Sequence, residues 1–549
     1  MDNNDNNSIE RHVAIIGAGL AGLVTARHFL AEGWNVTVFE AQRSLGGVWE
    51  RAYPFAALQT PSSTYHFGDF PFPFAVSRFA TKQQLLNYFS AYAAHFGVLE
   101  RIQFGSRVVQ IRQRDDGRKG WSLDIQRDAF VKEQVFDFVV SCQGLYSGKA
   151  RIPDLPGRET FGGPILHSSE LIGSDVLQQP NVAILGSTKT AIDCITNRLA
   201  NVNEPTPDLQ THMIFRKATW FYPNTIAWFF DVGILNNHRF TYSSVNWLRL
   251  IRNFFNIPSA ASSESKVGST PSQLEKSPLL PTNKADSQQQ QQQDALQKHP
   301  SPWFLWAMGY KPTDSILPTY CIQSRCGSYG TQPPRFFDYF RSGLVKTHGP
   351  NLTISHLSPR TIHLSNTTTI ENVDALVLAT GYHQTMVLPD GSESLIENGG
   401  VFLYRNVVHP SVPDFAFVGT ASSLTCITTS MSVHWLMALL RGDIDAPTES
   451  VQWAEIQRKR EMAKNVCGDL PYGAGGVDAF PYLDSLCEEL GVCPVRKVKR
   501  AEWWALGGWN PLVWIWEAVG EYVPADYRFD EIEREIRDAA EKRRRRVVV

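Results

Sequence analysis

The chain carries no strong charge of either sign: 52 Lys and Arg stand against 54 Asp and Glu, a formal net charge of −2. Near-neutrality argues against a general electrostatic grip on nucleic acid, and no nucleic-acid partner is expected. Cysteine is scarce, with 8 in 549 residues. Thiols this scattered do not make a disulfide scaffold, so a reducing, intracellular and cytoplasmic setting is expected. The absence of C-x-x-C speaks against a thiol–disulfide exchanger. Cys321 and Cys326 have no matching Cys/His pair for zinc, and no metal is expected. No apolar run reaches the ~18 residues of a membrane-spanning helix. The opening MDNNDNNSIERH lacks a basic start and an apolar core, so no signal peptide is expected. No fixed-period repeat occurs, which excludes a solenoid.

What remains is globular. Hydrophobic residues make up 43% and charged residues 19%, enough to build cores. At about 150 residues per domain, the length allows three or four units. A Ser-, Pro- and Gln-rich break runs over 258–300 and contains the unbroken run Gln288 to Gln293. Such a stretch buries too little apolar surface to offset its ordering entropy and is expected as a disordered insertion. Trp503, Trp504, Trp509, Trp514 and Trp516 cluster after Arg496, Lys497, Lys499 and Arg500. They suit a brace over the catalytic units or a peripheral membrane contact. Lys542 to Val549 reads KRRRRVVV, either a frayed, solvated end or a membrane-surface tag.

The ordered remainder alternates strand and helix patterns. His12 to Ile16 is β-branched and apolar, Leu20 to Glu32 has helical spacing, and Asn35 to Phe39 is apolar again. This is a βαβ unit, which implies a parallel sheet. A second unit runs through Asn181 to Leu185, Lys189 to Leu199 and Thr211 to Phe215. Further strands are expected at Phe136 to Ser141 and Ala375 to Ala379. The fold class is therefore α/β, with two Rossmann-like dinucleotide-binding domains, the second inserted in the first, and a helical C-terminal extension. The expected boundaries are 9–172 and 368–445 for the two parts of the first domain, 178–367 for the second and 446–549 for the extension.

Gly17-Ala18-Gly19-Leu20-Ala21-Gly22 fits G-x-G-x-x-G between a strand and a helix, with Glu40 ending the next strand. Gly17 permits the tight turn, Gly19 lets backbone approach a pyrophosphate, and Gly22 lets helix pack on strand. The helix N-terminus offers free N–H groups to phosphates. Glu40 suits ribose hydroxyls and repels a 2′-phosphate, so FAD or NAD is favoured over NADP. Gly186-Ser187-Thr188-Lys189-Thr190-Ala191 occupies the second such junction, with Thr188 and Ala191 in place of two glycines. Lys189 and Thr190 suit an anion. Arg216 and Lys217 end the next strand, where a guanidinium matches a 2′-phosphate and favours NADPH.

Further along, Gly46-Gly47-Val48-Trp49, Leu58-Gln59-Thr60-Pro61 with Phe67 to Pro71, Phe161 to His167 (FGGPILH), Ala379-Thr380-Gly381-Tyr382, Phe417-Val418-Gly419 and Tyr522 to Tyr527 (YVPADY) follow in order. Together with the two glycine loops they resemble the class B flavin monooxygenases, specifically the flavin-containing monooxygenase branch with its fungal and plant-like members. The resemblance covers nearly the whole ordered chain. It departs at Leu171, where the family has an aromatic residue, at Gln59, where an Asn is common, and at Thr188.

The resemblance implies FAD and NADPH as cofactors, with O2 and a small organic molecule as substrates, and specialised metabolism is the expected setting. NADPH would reduce FAD, reduced FAD would trap O2 as a C4a-(hydro)peroxyflavin, and one oxygen atom would pass to the substrate. N- or S-oxygenation, hydroxylation or epoxidation competes with Baeyer–Villiger ketone oxygenation, with an NADPH oxidase or reductase that transfers no oxygen, and with a scaffold that retains FAD alone. Gly17, Ala18, Gly19, Gly22 and Glu40 would hold the ADP half of FAD. Gly47, Val48, Trp49, Gln59, Thr60, Thr380 and Gly381 would line the flavin side. Gly186, Lys189, Thr190, Arg216 and Lys217 would hold NADPH. Gln59 and His167 are the catalytic candidates, Gln59 as a hydrogen-bond donor and His167 chiefly as a coupling residue between domains.

Overall fold

The computed structural model describes residues 11–144, 148–200, 209–216, 336–383, 385–397, 400–419, 424–467, 479–492 and 527–547, with residue 202 and four short strands between 220 and 332. One sheet contains β1 (His12–Ile16), β2 (Asn35–Phe39), β3 (Ile102–Gln103), β7 (Phe138–Ser141) and β22 (Phe415–Phe417), in the order β22-β7-β1-β2-β3. Every neighbouring pair is parallel. The residues of β1 show why. Val13 and Ile15 point into one apolar core, Ala14 and Ile16 into another. A strand apolar on both faces needs cover on both sides, which parallel sheets have. One cover is α1 (Leu20–Ala31), which buries Leu23, Val24, Ala26 and Phe29 and packs on the helix Thr425–Arg441. The other is the antiparallel meander β4 (Arg107–Gln113), β5 (Trp121–Arg127) and β6 (Phe130–Phe136).

A second sheet contains β8 (Ile165–His167), β9 (Asn181–Leu185), β10 (Gln210–Ile214), β15 (Val345–His348) and β19 (Ala375–Leu378), in the order β15-β10-β9-β19-β8. It too is wholly parallel. Val182 and Ile184 share a core with the helix Lys189–Leu199, while Ala183 faces Phe161, Leu376 and Leu378. The antiparallel strands β16 (Ile354–Ser358), β17 (Thr361–Leu364) and β18 (Thr369–Ile370) cover that opposite face. Outside the two sheets lie β11 (Trp220–Pro223), β12 (Thr225–Ile226), β13 (Phe230–Asp231), β14 (Tyr329–Gln332), β20 (Ile396–Glu397) and β21 (Gly400–Val401).

Strand pairing moves the expected domain boundaries. β8 falls within 9–172 and β19 within 368–445, yet both hydrogen-bond inside the second sheet. The chain therefore leaves the first sheet after β7 and returns to it at β22. Parallel partners are joined through crossovers, so local sequence pattern does not reveal which sheet a strand enters.

The basic end is also corrected in part. Residues Phe529–Val547 form a helix, with Ile532, Ile536 and Ala540 buried at four-residue spacing. Arg543 donates to Asp443 O at 2.8 Å and to Glu489 O at 2.9 Å. These carbonyls lie at the C-terminal ends of Thr425–Arg441 and Ala479–Leu490, where a cation complements the helix dipole. The helix is held by packing and charge, so it is not a frayed tail. Residues 258–300, Cys321, Cys326, Lys217, the five-tryptophan cluster and Tyr522 to Asp526 lie outside the described residues. Among the described residues, no helix is long and apolar enough to cross a membrane.

Candidate functional site: two dinucleotide cradles

Each sheet carries a glycine turn where its central strand passes into a helix. Gly17 has φ +107°, and its N–H donates to Phe39 O at 2.8 Å. A Cβ there would lie 2.7 Å from Cys142 O. Gly186 repeats the arrangement with φ +139°, an N–H donating to Ile214 O at 2.9 Å, and a would-be Cβ 2.5 Å from Ala379 O. In both turns, glycine is required by a left-handed φ and by the neighbouring strand's carbonyl. Gly22 sits so close to Gly17 O that a Cβ would overlap it at 1.8 Å. At the matching place in the second unit, Ala191 is fully buried with its methyl accommodated.

The departure at Thr188 costs nothing in backbone conformation. Gly19 has φ −80° and ψ −175°, and Thr188 has φ −94° and ψ −174°. Both are extended N-cap residues, a conformation open to any side chain. The three glycines of the first turn, with Gly47 (φ +58°) facing Gly19, leave a backbone-lined cradle at the start of α1.

Glu40 is buried at the end of β2. Its Oε2 accepts from Ala18 N–H at 2.8 Å and its Oε1 from Gln42 N–H at 2.8 Å. Each carboxylate oxygen keeps a further lone pair, so ribose hydroxyls still find an acceptor. The cradle thus fits the ADP half of a flavin dinucleotide. Gly46 N–H donates to Ala18 O at 3.0 Å, which ties the next loop to the turn. From that loop the short helix α2 (Val48–Arg51) begins; Trp49 Nε1 donates to the Tyr65 hydroxyl at 3.1 Å. Gln59 and Thr60 are half-buried on a segment stitched to 78–82 by Leu58 N–H to Ala80 O (2.9 Å) and Ser62 N–H to Arg78 O (2.8 Å). The helix α3 (Lys82–His95) behind it starts with a reciprocal Thr81–Gln84 capping box, as the sequence T-x-x-Q allows.

In the second unit the helix Lys189–Leu199, α4, presents Lys189 and Thr190 in its first turn. Lys189 is ion-paired with Asp193. Arg216 is exposed just past β10, and Asn351 N–H donates to its carbonyl at 2.7 Å.

His167 joins the two expected site regions by a different route from acid catalysis. Its Nε2 is 3.0 Å from Gly381 O, which can only accept, so Nε2 carries the proton. Its Nδ1 then accepts from Ser169 N–H at 3.2 Å and faces Ser169 Oγ at 2.8 Å. Burial lowers its pKa further from the ordinary value than the Gly381 hydrogen bond restores it. The ring is engaged at both nitrogens, as a joint between two segments would be. These bonds suit the coupling role expected for it. Thr380 Oγ1 donates to Arg151 O, and Arg151 N–H donates to Gly381 O at 2.8 Å, so Ala379-Thr380-Gly381-Tyr382 is tied to the linker from the first sheet. Leu171 is buried in the second core, among Val176, Leu177 and Val182.

Some participants were not anticipated. Arg51 donates to Gly148 O at 2.9 Å and lies over the Tyr382 ring, 5.3 Å from its centroid. Tyr53 donates to Asp193 at 2.6 Å. The Lys189/Asp193 spacing of four on one helix is a legible signal for their pair. Nothing in the sequence points Tyr53 at them. Among the described residues, no group of His, Cys, Asp and Glu is placed to hold a metal.

The profile of the FMO-like family, flavin-binding monooxygenase-like proteins, matches residues 10–251 and 343–498. The chain belongs to that family. It is a flavin-dependent monooxygenase, an oxidoreductase. A probable flavin-containing monooxygenase of Arabidopsis thaliana is 26% identical over 97% of this chain and 99% of its own length. The N-oxide-forming dimethylaniline monooxygenase 2 of Rattus norvegicus is 24% identical over 88% of this chain and 83% of its own. Among solved structures, steroid monooxygenase bound to NADP shares the fold with TM-score 0.59 at 19% identity, covering 87% of this chain and 97% of that one. The S-allyl-L-cysteine S-oxygenase of Allium sativum does so with TM-score 0.53 at 19% identity, covering 97% and 99%.

Proposed function

We propose that the protein uses FAD in the first cradle and NADPH in the second to place one oxygen atom from O2 on a nitrogen or sulfur centre of a small organic substrate. The observation that carries this reading is the repeated turn at Gly17 and Gly186, each at the end of a central parallel strand, with opposite charges beyond it. Glu40 closes the first unit and Arg216 the second. That contrast supports a 2′-hydroxyl nucleotide in one and a 2′-phosphate nucleotide in the other. The choice of a heteroatom over a ketone follows the N-oxide-forming relative.

When bound, FAD supplies the two-electron and oxygen chemistry and NADPH the hydride. The chain's own residues bind and orient. Gly17, Ala18, Gly19 and Gly22 with the α1 N-terminus take the pyrophosphate of FAD, and Glu40 its ribose. Gly47, Val48, Trp49, Gln59, Thr60, Thr380 and Gly381 form the surroundings of the reacting end, where Gln59 offers an amide N–H. Lys189 and Thr190 take the phosphates of NADPH and Arg216 its 2′-phosphate, with Lys217 next to it in sequence. His167 holds the Gly381 turn in place.

The test is anaerobic mixing with NADPH, followed by O2 with an amine or thioether present. The flavin absorbance should bleach, and one oxygenated product should form per NADPH consumed. A flavin that NADPH leaves oxidised, or hydrogen peroxide equal to the NADPH consumed with no oxygenated product, would overturn the reading.

A further inference from the structure

The second cradle borrows a side chain from the first unit. Tyr53 follows α2, and its ring packs with Phe55, centroids 4.8 Å apart, against the core of the second unit. Its hydroxyl donates to Asp193 Oδ2 at 2.6 Å. The same oxygen accepts from Lys189 Nζ, one turn earlier on α4. One carboxylate oxygen therefore joins the phenol to the lysine assigned to the phosphates.

We propose that Asp193 and Tyr53 are positioning residues for the pyridine nucleotide. Asp193 fixes the Lys189 ammonium at the mouth of α4, and Tyr53 fixes the Asp193 carboxylate. The phosphate grip is then complete only when the two units are closed on each other. This rests on the nucleotide role proposed for Lys189.

Two physical arguments support it. A free lysine loses much rotamer freedom on meeting a phosphate, and a lysine already held in place loses less. The ammonium has three donors, and Asp193 Oδ2 engages one, which leaves two for an anion. An unshared Asp193 charge would compete with the nucleotide for Lys189. Donation from Tyr53 disperses that charge. Burial and the Asp193 carboxylate raise the phenol's pKa, which keeps it a donor.

The experiment is a titration of the FAD-loaded protein with NADP⁺, read as the flavin difference spectrum, with a melting curve for each variant. Tyr53→Phe keeps the ring and removes the hydroxyl. It should raise the NADP⁺ Kd about five- to tenfold. Asp193→Asn should do the same. In a Lys189→Met background, Tyr53→Phe should change the Kd less than about twofold, because coupled residues are not additive. Equal factors in both backgrounds, or an unchanged Kd with a lowered melting temperature, would make Tyr53 a purely structural contact and overturn the proposal. A response that Lys189→Met removes and Tyr53→Phe leaves intact would overturn the positioning alone. No response in the unsubstituted protein would overturn the proposed function with it.

Discussion

His167 Nε2 donates to the Gly381 carbonyl across 3.0 Å, and that bond ties β8 to the turn that follows β19. His167→Ala would take one of two donors from the half-buried Gly381 carbonyl, which keeps the Arg151 N–H, at a cost of about 0.5–1.5 kcal/mol. The expected result is a lowered melting temperature with FAD still bound. If His167 acts as a coupling residue, the pH profile of kcat/KM should keep its shape. A profile that loses an ionisation near the ordinary histidine pKa would contradict this.

Several buried histidines make stability fall with acid. Burial and Arg460 lower the His409 pKa to about 4, and burial with His348 lowers that of His212 to about 3. His28 is also held well below its usual value, by burial first and then by His434 and Arg27. Between the native and unfolded values the unfolded chain binds more protons, so protonation favours unfolding. The contribution is whole above about pH 6.5 and drains away as pH falls towards 4 and then 3. Denaturant midpoints at pH 7.5, 6 and 5 should decrease in that order. A midpoint rising on acidification would refute it.

The two glycine turns should fail separately. Gly17→Ala places a methyl 2.7 Å from Cys142 O and should yield protein that purifies without flavin. Gly186→Ala places one 2.5 Å from Ala379 O and should yield yellow protein that NADPH reduces at least about tenfold less efficiently. Flavin content per chain and the stopped-flow bleaching rate distinguish the two outcomes.

Arg216→Ala should raise the KM for NADPH far more than that for NADH, since only the former carries the 2′-phosphate. Equal increases for both would remove Arg216 from that role.

Arg543→Ala should cost about 0.3–2 kcal/mol, the range for a cation at helix C-termini. The melting temperature of the FAD-loaded protein measures it. No shift would mean that the bonds to Asp443 O and Glu489 O are fully replaced by water.

The glycine turns were legible in the sequence because they are demands of the backbone. A left-handed φ and a carbonyl under 3 Å from any Cβ leave only glycine at Gly17 and Gly186. The βαβ units were legible from their period, and their strands lie within a residue or two of expectation. The sheet membership of β8 and β19 was not, because it depends on hydrogen bonds between distant strands. The docking of Phe529–Val547 could have been read from Ile532, Ile536 and Ala540, but the run of arginines obscured that stripe. Tyr53 gave no signal at all. An isolated tyrosine after a glycine loop acquires meaning only when another unit brings Asp193 to it.

The helix at Phe529–Val547 completes α1 from the other end of the sequence. Phe529 meets the His28 ring at 4.7 Å and the Arg27 guanidinium at 4.0 Å, and Arg537 pairs with Glu32 across 505 positions. During synthesis, the outer flank of α1 must stay bare until nearly all of the intervening chain has emerged. Contacts this remote close late. The flank of α1 that carries Arg27, His28 and Glu32 is therefore among the last parts of the first unit to be covered.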